Sequence, residues 1–167
     1  MDYKLAIERK IENNPYGDGV FPVGESPASI MILKESPDKI EAMNGIAFSN
    51  MHGSRIRGIA QETGLENESF YYTTAIKTEC RAREQIREHY NAYWQPILQA
   101  EFKMVSPKYV IILGYLTEHV AEREGMQVIR LPINTKDREI RNVFAYIKNQ
   151  MDKNKPHWEP GDGKHLE

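Results

Sequence analysis

Glu35 stands in the segment Lys34-Glu35-Ser36-Pro37-Asp38, directly after the apolar run Ser29–Leu33. A carboxylate at the carboxyl end of a strand, ahead of a proline turn, is placed to activate a water molecule. A solvated turn carboxylate is the plainer reading. A second segment, Gly45–Gly53 (GIAFSNMHG), leads into a helical stretch. Its Phe48 ring can stack on a flat base, and the free amides of a helix start can bind phosphate. The plainer reading is a buried Phe in a helix-entry loop. Basic residues Lys77, Arg81, Arg83 and Arg87 follow a further apolar run and can contact phosphates. Interspersed Glu79 and Glu84 also suit an ordinary solvated helix start. Neither a G-x-G-x-x-G nor a P-loop pattern occurs. The five histidines, His52, His89, His119, His157 and His165, have no metal-ligand spacing. No G-x-S-x-G elbow supports a Ser-His-Asp triad, which stays open.

The elements that must position these residues come from a chain of 167 residues, long enough for one domain with a buried core. Hydrophobic residues make up 40% and charged residues 28%, which excludes wholesale disorder and collagen-like structure. No apolar run approaches the roughly 20 residues of a membrane span, and no apolar signal core follows Met1, so a cytoplasmic protein without membrane contact is expected. One cysteine, Cys80, excludes an internal disulfide and, within one chain, a cysteine-rich metal centre. It suits a reducing compartment and reads more readily as a packed or surface residue than as a catalytic thiol. The net charge of −2 does not advertise a nucleic-acid binder, although a local basic face suffices for one.

Four short runs rich in β-branched and aromatic residues predict strands at Ser29–Leu33, Ser69–Ile76, Tyr109–Leu113 and Gln127–Leu131. Helical spacing predicts helices over residues 2–13, Ser54–Thr63, Arg83–Met104, Leu116–Arg123 and Asp137–Met151. The aromatic stripe of the long helix reads as core packing. Such alternation implies an α/β fold with a mostly parallel sheet, helices on both faces and ligands beyond the strands' carboxyl ends. Those ends are Lys34–Asp38, Lys77–Arg81, Gly114-Tyr115 and Pro132–Lys136. Residues 1–151 are expected to form one domain, and the polar segment 152–167 a flexible tail.

Taken together, these segments resemble the uracil-DNA glycosylase superfamily, most closely its iron–sulfur (family 4) branch. That family's first motif ends a strand in Gly-Glu-Ala-Pro-Gly, followed by Gly-Arg-Pro-Phe-Val-Gly. Here Lys34–Asp38 is followed by Gly45-Ile46-Ala47-Phe48 and Gly53 at matching spacing. Upstream, Val23-Gly24-Glu25 resembles the family's lead-in. Tyr-x-Thr-Asn-x-x-Lys is matched by Tyr71–Lys77, and Arg-Pro-Lys-x-Ile-x-x-Leu-Gly by Ser106–Gly114. The resemblance covers about residues 20–150.

The resemblance implies a three-layer α/β/α sandwich around a four-stranded parallel sheet. It implies an enzyme that extrudes a damaged base, uracil or a relative, from single- or double-stranded DNA and hydrolyses its N-glycosidic bond. Extrusion is required because the target atom is hidden in the duplex stack. By this carry-over Glu35 activates water or stabilises the cationic sugar. Phe48 stacks on the base, Ser36, Asn50 and Gly53 line the pocket, and Thr74 and Leu131 occupy base-reading positions. Lys77, Arg81 and Lys136 are the expected DNA contacts.

The chain also departs from the pattern. The family's cluster needs four cysteines. Only Cys80 is present, off the cluster positions, and Trp94 stands where one ligand is expected, so neither a metal cluster nor another cofactor is implied. Thr74 replaces an Asn, and a hydroxyl cannot present the paired donor and acceptor of an amide. Leu131 replaces a His and cannot donate to a leaving base, a loss typically worth about 100- to 1,000-fold in rate. Three readings follow: a divergent active glycosylase, a weak or inactive member serving as a DNA-binding or replication-associated module, and an unrelated doubly wound domain. Oligomeric state is not legible.

Overall fold

A computed structural model describes residues 2–66, 69–114 and 125–154. The expected helix at 116–123, and residues 155–167 of the expected 152–167 tail, lie outside the described residues, whereas residues 152 and 153 belong to the last helix. The apolar runs form strands β2 (Ile30–Lys34), β3 (Phe70–Thr74), β4 (Tyr109–Leu113) and β5 (Gln127–Leu131). All residues of β2, β3 and β4 are buried, as a sheet covered on both faces requires. These four strands are parallel. A two-residue strand β1 (Val23–Gly24) pairs antiparallel with β3 and completes a five-stranded sheet of order β1-β3-β2-β4-β5. The expected four-stranded sheet therefore gains an edge strand. Two residues are too few to show a period-two pattern in sequence.

Helices α1 (Tyr3–Glu12), α4 (Arg83–His89) and α5 (Gln95–Val105) cover one face of the sheet, where Met31, Leu33, Val110 and Ile112 meet Trp94, Leu98 and Phe102. Helices α3 (Met51–Glu62) and α6 (Asp137–Lys153) cover the other, where Ile30, Ile32, Tyr72 and Ile111 meet Phe48, Ile56 and Phe144. The short helix α2 (Lys39–Asn44) lies between β2 and α3 in sequence. The result is a three-layer α/β/α arrangement. The single long helix expected over 83–104 is interrupted by a π-helical segment, Tyr90–Trp94, directly before Pro96. Proline has no N–H to continue the regular ladder, and a wider turn accommodates the break. The segment turns Trp94 fully into the core, edge-on to Tyr93.

No helix among the described residues is long and apolar enough to cross a membrane. Among them, no group of three or more His, Cys, Asp or Glu side chains could hold a metal ion.

Candidate functional site

Sheet register sets the floor of the site. Lys34 ends β2 and pairs with Thr74 on one side and Leu113 on the other, and Leu113 pairs with Leu131. Thr74, Lys34, Leu113 and Leu131 thus form one row across the carboxyl edge of the sheet. Ile30 and Ile32 alternate onto the face covered by α3 and α6, as do Phe70 and Tyr72. The same alternation carries Lys34 and Thr74 to that face.

Beyond Lys34 the chain turns at Pro37. Asp38 then caps α2, its side chain accepting from Glu41 N at 2.9 Å while the Glu41 side chain accepts from Asp38 N at 3.0 Å. This reciprocal cap fixes the Glu41 carboxylate inside the protein, fully buried. The same carboxylate pairs with the Lys34 ammonium and accepts from Phe48 N at 2.5 Å. The Phe48 carbonyl accepts from Arg57 at 2.9 Å. Held from both sides, Phe48 adopts φ +57°, a left-handed conformation that a bulky residue takes only under such constraint. Gly53 is obligatory beside it, since a Cβ there would lie 2.0 Å from the Phe48 carbonyl oxygen. Asn50 caps α3 by accepting from Gly53 N at 2.8 Å and ties it to the Pro37 turn by donating to Asp38 at 2.7 Å.

A cleft of about 520 Å³ opens above these elements, lined by Lys34, Ser36, Pro37, Asp38, Asn50, His52 and Arg55, and by Ile133, Asn134 and Thr135 beyond β5. It lies where the strand pattern predicted ligand binding. Burial would raise the Asp38 pKa, but the hydrogen bonds from Glu41 and Asn50 and the charge of Lys34 outweigh it, so its carboxyl stays below the ordinary range. Burial, then the charges of Lys34 and Arg55, lower the pKa of His52 against the opposing pull of Asp137 and Glu41. Its buried Nε2 and the buried Thr135 hydroxyl find no hydrogen-bond partner among the described residues. Burial pushes the Tyr72 phenol up to about 12, with Arg57 opposing, so the ring beside Phe48 is a neutral wall.

Of the residues singled out from sequence, Ser36 and Asn50 line the cleft, and Gly53 supports it from beneath. Glu35 is half-buried at the edge of the β2 turn, its carbonyl accepting from Ile76 N, and is not among the lining residues. Phe48 is fully buried, with the Lys34 ammonium 4.8 Å from its ring centroid. Thr74 is buried, its hydroxyl without a hydrogen-bond partner among the described residues, and Leu131 is half-buried against the α3–α6 layer. Arg81 and Lys136 are exposed, Arg81 beside Glu79 at 3.3 Å.

Lys77 corrects the expectation of a phosphate contact there. It is fully buried on the opposite side of the sheet, 2.6 Å from Glu101 and bonded to Thr73 and the Thr74 carbonyl. A lysine just past a strand reads as solvent-facing, and nothing near it in sequence announces Glu101.

Lys34, Glu41, His52, Arg55 and Thr135 were not read as site residues. Lys34, His52 and Thr135 lie in segments singled out for other residues, while Glu41 and Arg55 lie outside those segments.

Residues 21–157 match the family model for the uracil DNA glycosylase superfamily. The chain belongs to that superfamily. No curated protein matches it. Within the uracil DNA glycosylase superfamily frame, the matched region contains the whole cleft, from the β2 turn to the loop after β5.

Proposed function

We propose that the protein is a DNA glycosylase that takes an extruded uracil, or a related damaged base, into the cleft beyond β2 and hydrolyses its N-glycosidic bond. The observation that carries this reading is the convergence of the Ser36–Asp38 turn, the start of α3 at Asn50 and His52, and the loop after β5 at one carboxyl edge of the sheet, in a chain of this superfamily. Glu35 accepts a proton from the attacking water as its oxygen bonds to the sugar C1′. The C1′–N bond breaks with its electron pair passing to the base. Phe48 supplies the stacking surface, and Arg81 and Lys136 contact backbone phosphates. The motif spacing favours the family 4 branch in a form without its cluster, and the lone Cys80 fits a reducing cytoplasm.

A second reading, DNA binding without base release, is favoured by Thr74 and Leu131, which supply neither an amide nor an imidazole to the base. One experiment separates the two: base release from uracil-containing oligonucleotides, single- and double-stranded, by the wild type, Glu35→Ala and Glu35→Gln. Release that falls by about 100-fold or more in both variants establishes the glycosylase and the role of Glu35. DNA binding without release from any strand establishes the second reading.

A further inference from the structure

We infer that Lys34 occupies the base-stacking face of Phe48 in the free protein and decides whether a base can enter. The inference rests on the reading of Phe48 as the stacking ring.

Three observations carry it. The Lys34 ammonium lies over the Phe48 ring, 4.8 Å from its centroid, where the face of a stacked base would lie. Lys34 is held there by the fully buried Glu41 carboxylate, which also bonds the backbone N–H of Phe48 itself, so plug and ring share one anchor. Lys34 lines the cleft and Phe48 behind it is fully buried, so the ring is not exposed to solvent while Lys34 is in place.

The row across the sheet edge fits the same account. The resemblance places a glycine at the position of Lys34 and polar base readers at Thr74 and Leu131. This chain has a long cation in the middle of the row and a hydroxyl and an aliphatic side chain towards its ends. An entering base must break the Lys34 contact with the ring before it stacks, and the row then offers it few polar partners. A buried cation over a ring and a stacked base compete for one surface, so the plug selects against bases that gain only stacking.

Two double variants test this. Lys34→Gly with Glu41→Gln removes the plug together with its counter-charge. Lys34→Met with Glu41→Gln removes the same charges but keeps a side chain of similar length over the ring. The probes are a single-stranded oligonucleotide with one 2′-fluoro-2′-deoxyuridine, which resists hydrolysis, and the same strand with a tetrahydrofuran abasic analogue. The glycine variant is expected to prefer the uridine strand by about tenfold or more, the range expected for one stacked base. The methionine variant and wild type are expected to show no such preference. Equal preference in the two double variants overturns the inference.

The wild type gives a second readout that needs no change at Lys34. With ¹³C-labelled lysine, one ε-methylene resonance should be shifted upfield by the Phe48 ring and return to the ordinary position in Phe48→Leu. Absence of a Phe48-dependent lysine resonance also overturns the inference. Failure of the functional reading looks different: a preference gained by the glycine variant, with no base release by any variant, retains the role of Lys34 and removes the hydrolysis. Glu35-dependent release by wild type with equal preference in the two doubles does the reverse.

Discussion

Glu41 accepts from three partners on two segments, the Lys34 ammonium, the Asp38 amide and the Phe48 amide, while buried from water. A buried carboxylate is tolerated only with such complete pairing. Nothing in the sequence marked it, because a Glu three residues after a helix cap reads as routine capping chemistry. His52 is the opposite case, a cleft residue whose Nε2 lacks a hydrogen-bond partner among the described residues. Its pKa is lowered in the folded protein by burial and by Lys34 and Arg55. Between that value and the unfolded value of about 6.5, the unfolded chain binds more protons than the folded one. The contribution of His52 to stability is therefore complete above about pH 6.5 and declines as pH falls through the window below it. Urea unfolding of wild type and His52→Gln across this window should show a steeper acid-side decline in wild type. Parallel curves would refute the assignment. Asp38, whose pKa is also lowered, acts at lower pH: its contribution holds above the ordinary carboxylate range and is lost only as pH falls through its folded value.

At the scale of elements, β4 and β5 follow the sequence-predicted bounds: β4 is a fully buried, uninterrupted apolar run, and β5, with Gln127 and Arg130 exposed, is marked by its β-branched Val128 and Ile129. The shortest elements escaped: β1 has two residues, and α2 has six and begins within what reads as a turn. The π-helical segment escaped because its aromatic residues keep a helical spacing whichever turn they occupy. Lys77 and Glu101 show what local pattern cannot carry, since their pairing joins the end of β3 to α5 and also takes in Tyr71 and Thr73. Burial lowers the pKa of Lys77 while Glu101 opposes that shift. Lys77→Met alone leaves Glu101 buried and uncompensated, and should cost about 3–5 kcal/mol of unfolding free energy. Adding Glu101→Leu should recover much of that loss, measured as a double-mutant cycle in urea. A double variant no more stable than the single would show that the pair does not act as a unit.

Over the whole molecule the net charge is −2, so attraction to DNA must come from where the cations stand. Arg55 lines the cleft, and Arg81 and Lys136 are exposed in the loops that follow β3 and β5. If Arg81 and Lys136 contact phosphates, Arg81→Ala and Lys136→Ala should each flatten the slope of log affinity against log salt on single-stranded DNA by roughly 0.7. An unchanged slope would remove that residue from the interface. The fold class was legible because alternating apolar runs and amphipathic helices report their own layers. The cleft was legible only in part, because its polar groups are gathered by topology from distant segments.

That gathering has a cost in time. The sheet order places β2 between β3 and β4, and β5 beside β4, so the row Thr74, Lys34, Leu113 and Leu131 exists only once three parallel pairings have formed. Such non-local pairings are slow because each must close a long loop before any contact compensates for it. As the chain is synthesised, β2 and β3 can pair early, but the cleft wall at Ile133–Thr135 arrives only with the last strand. The nascent protein is thus without a finished cleft until nearly all of its sheet has been made.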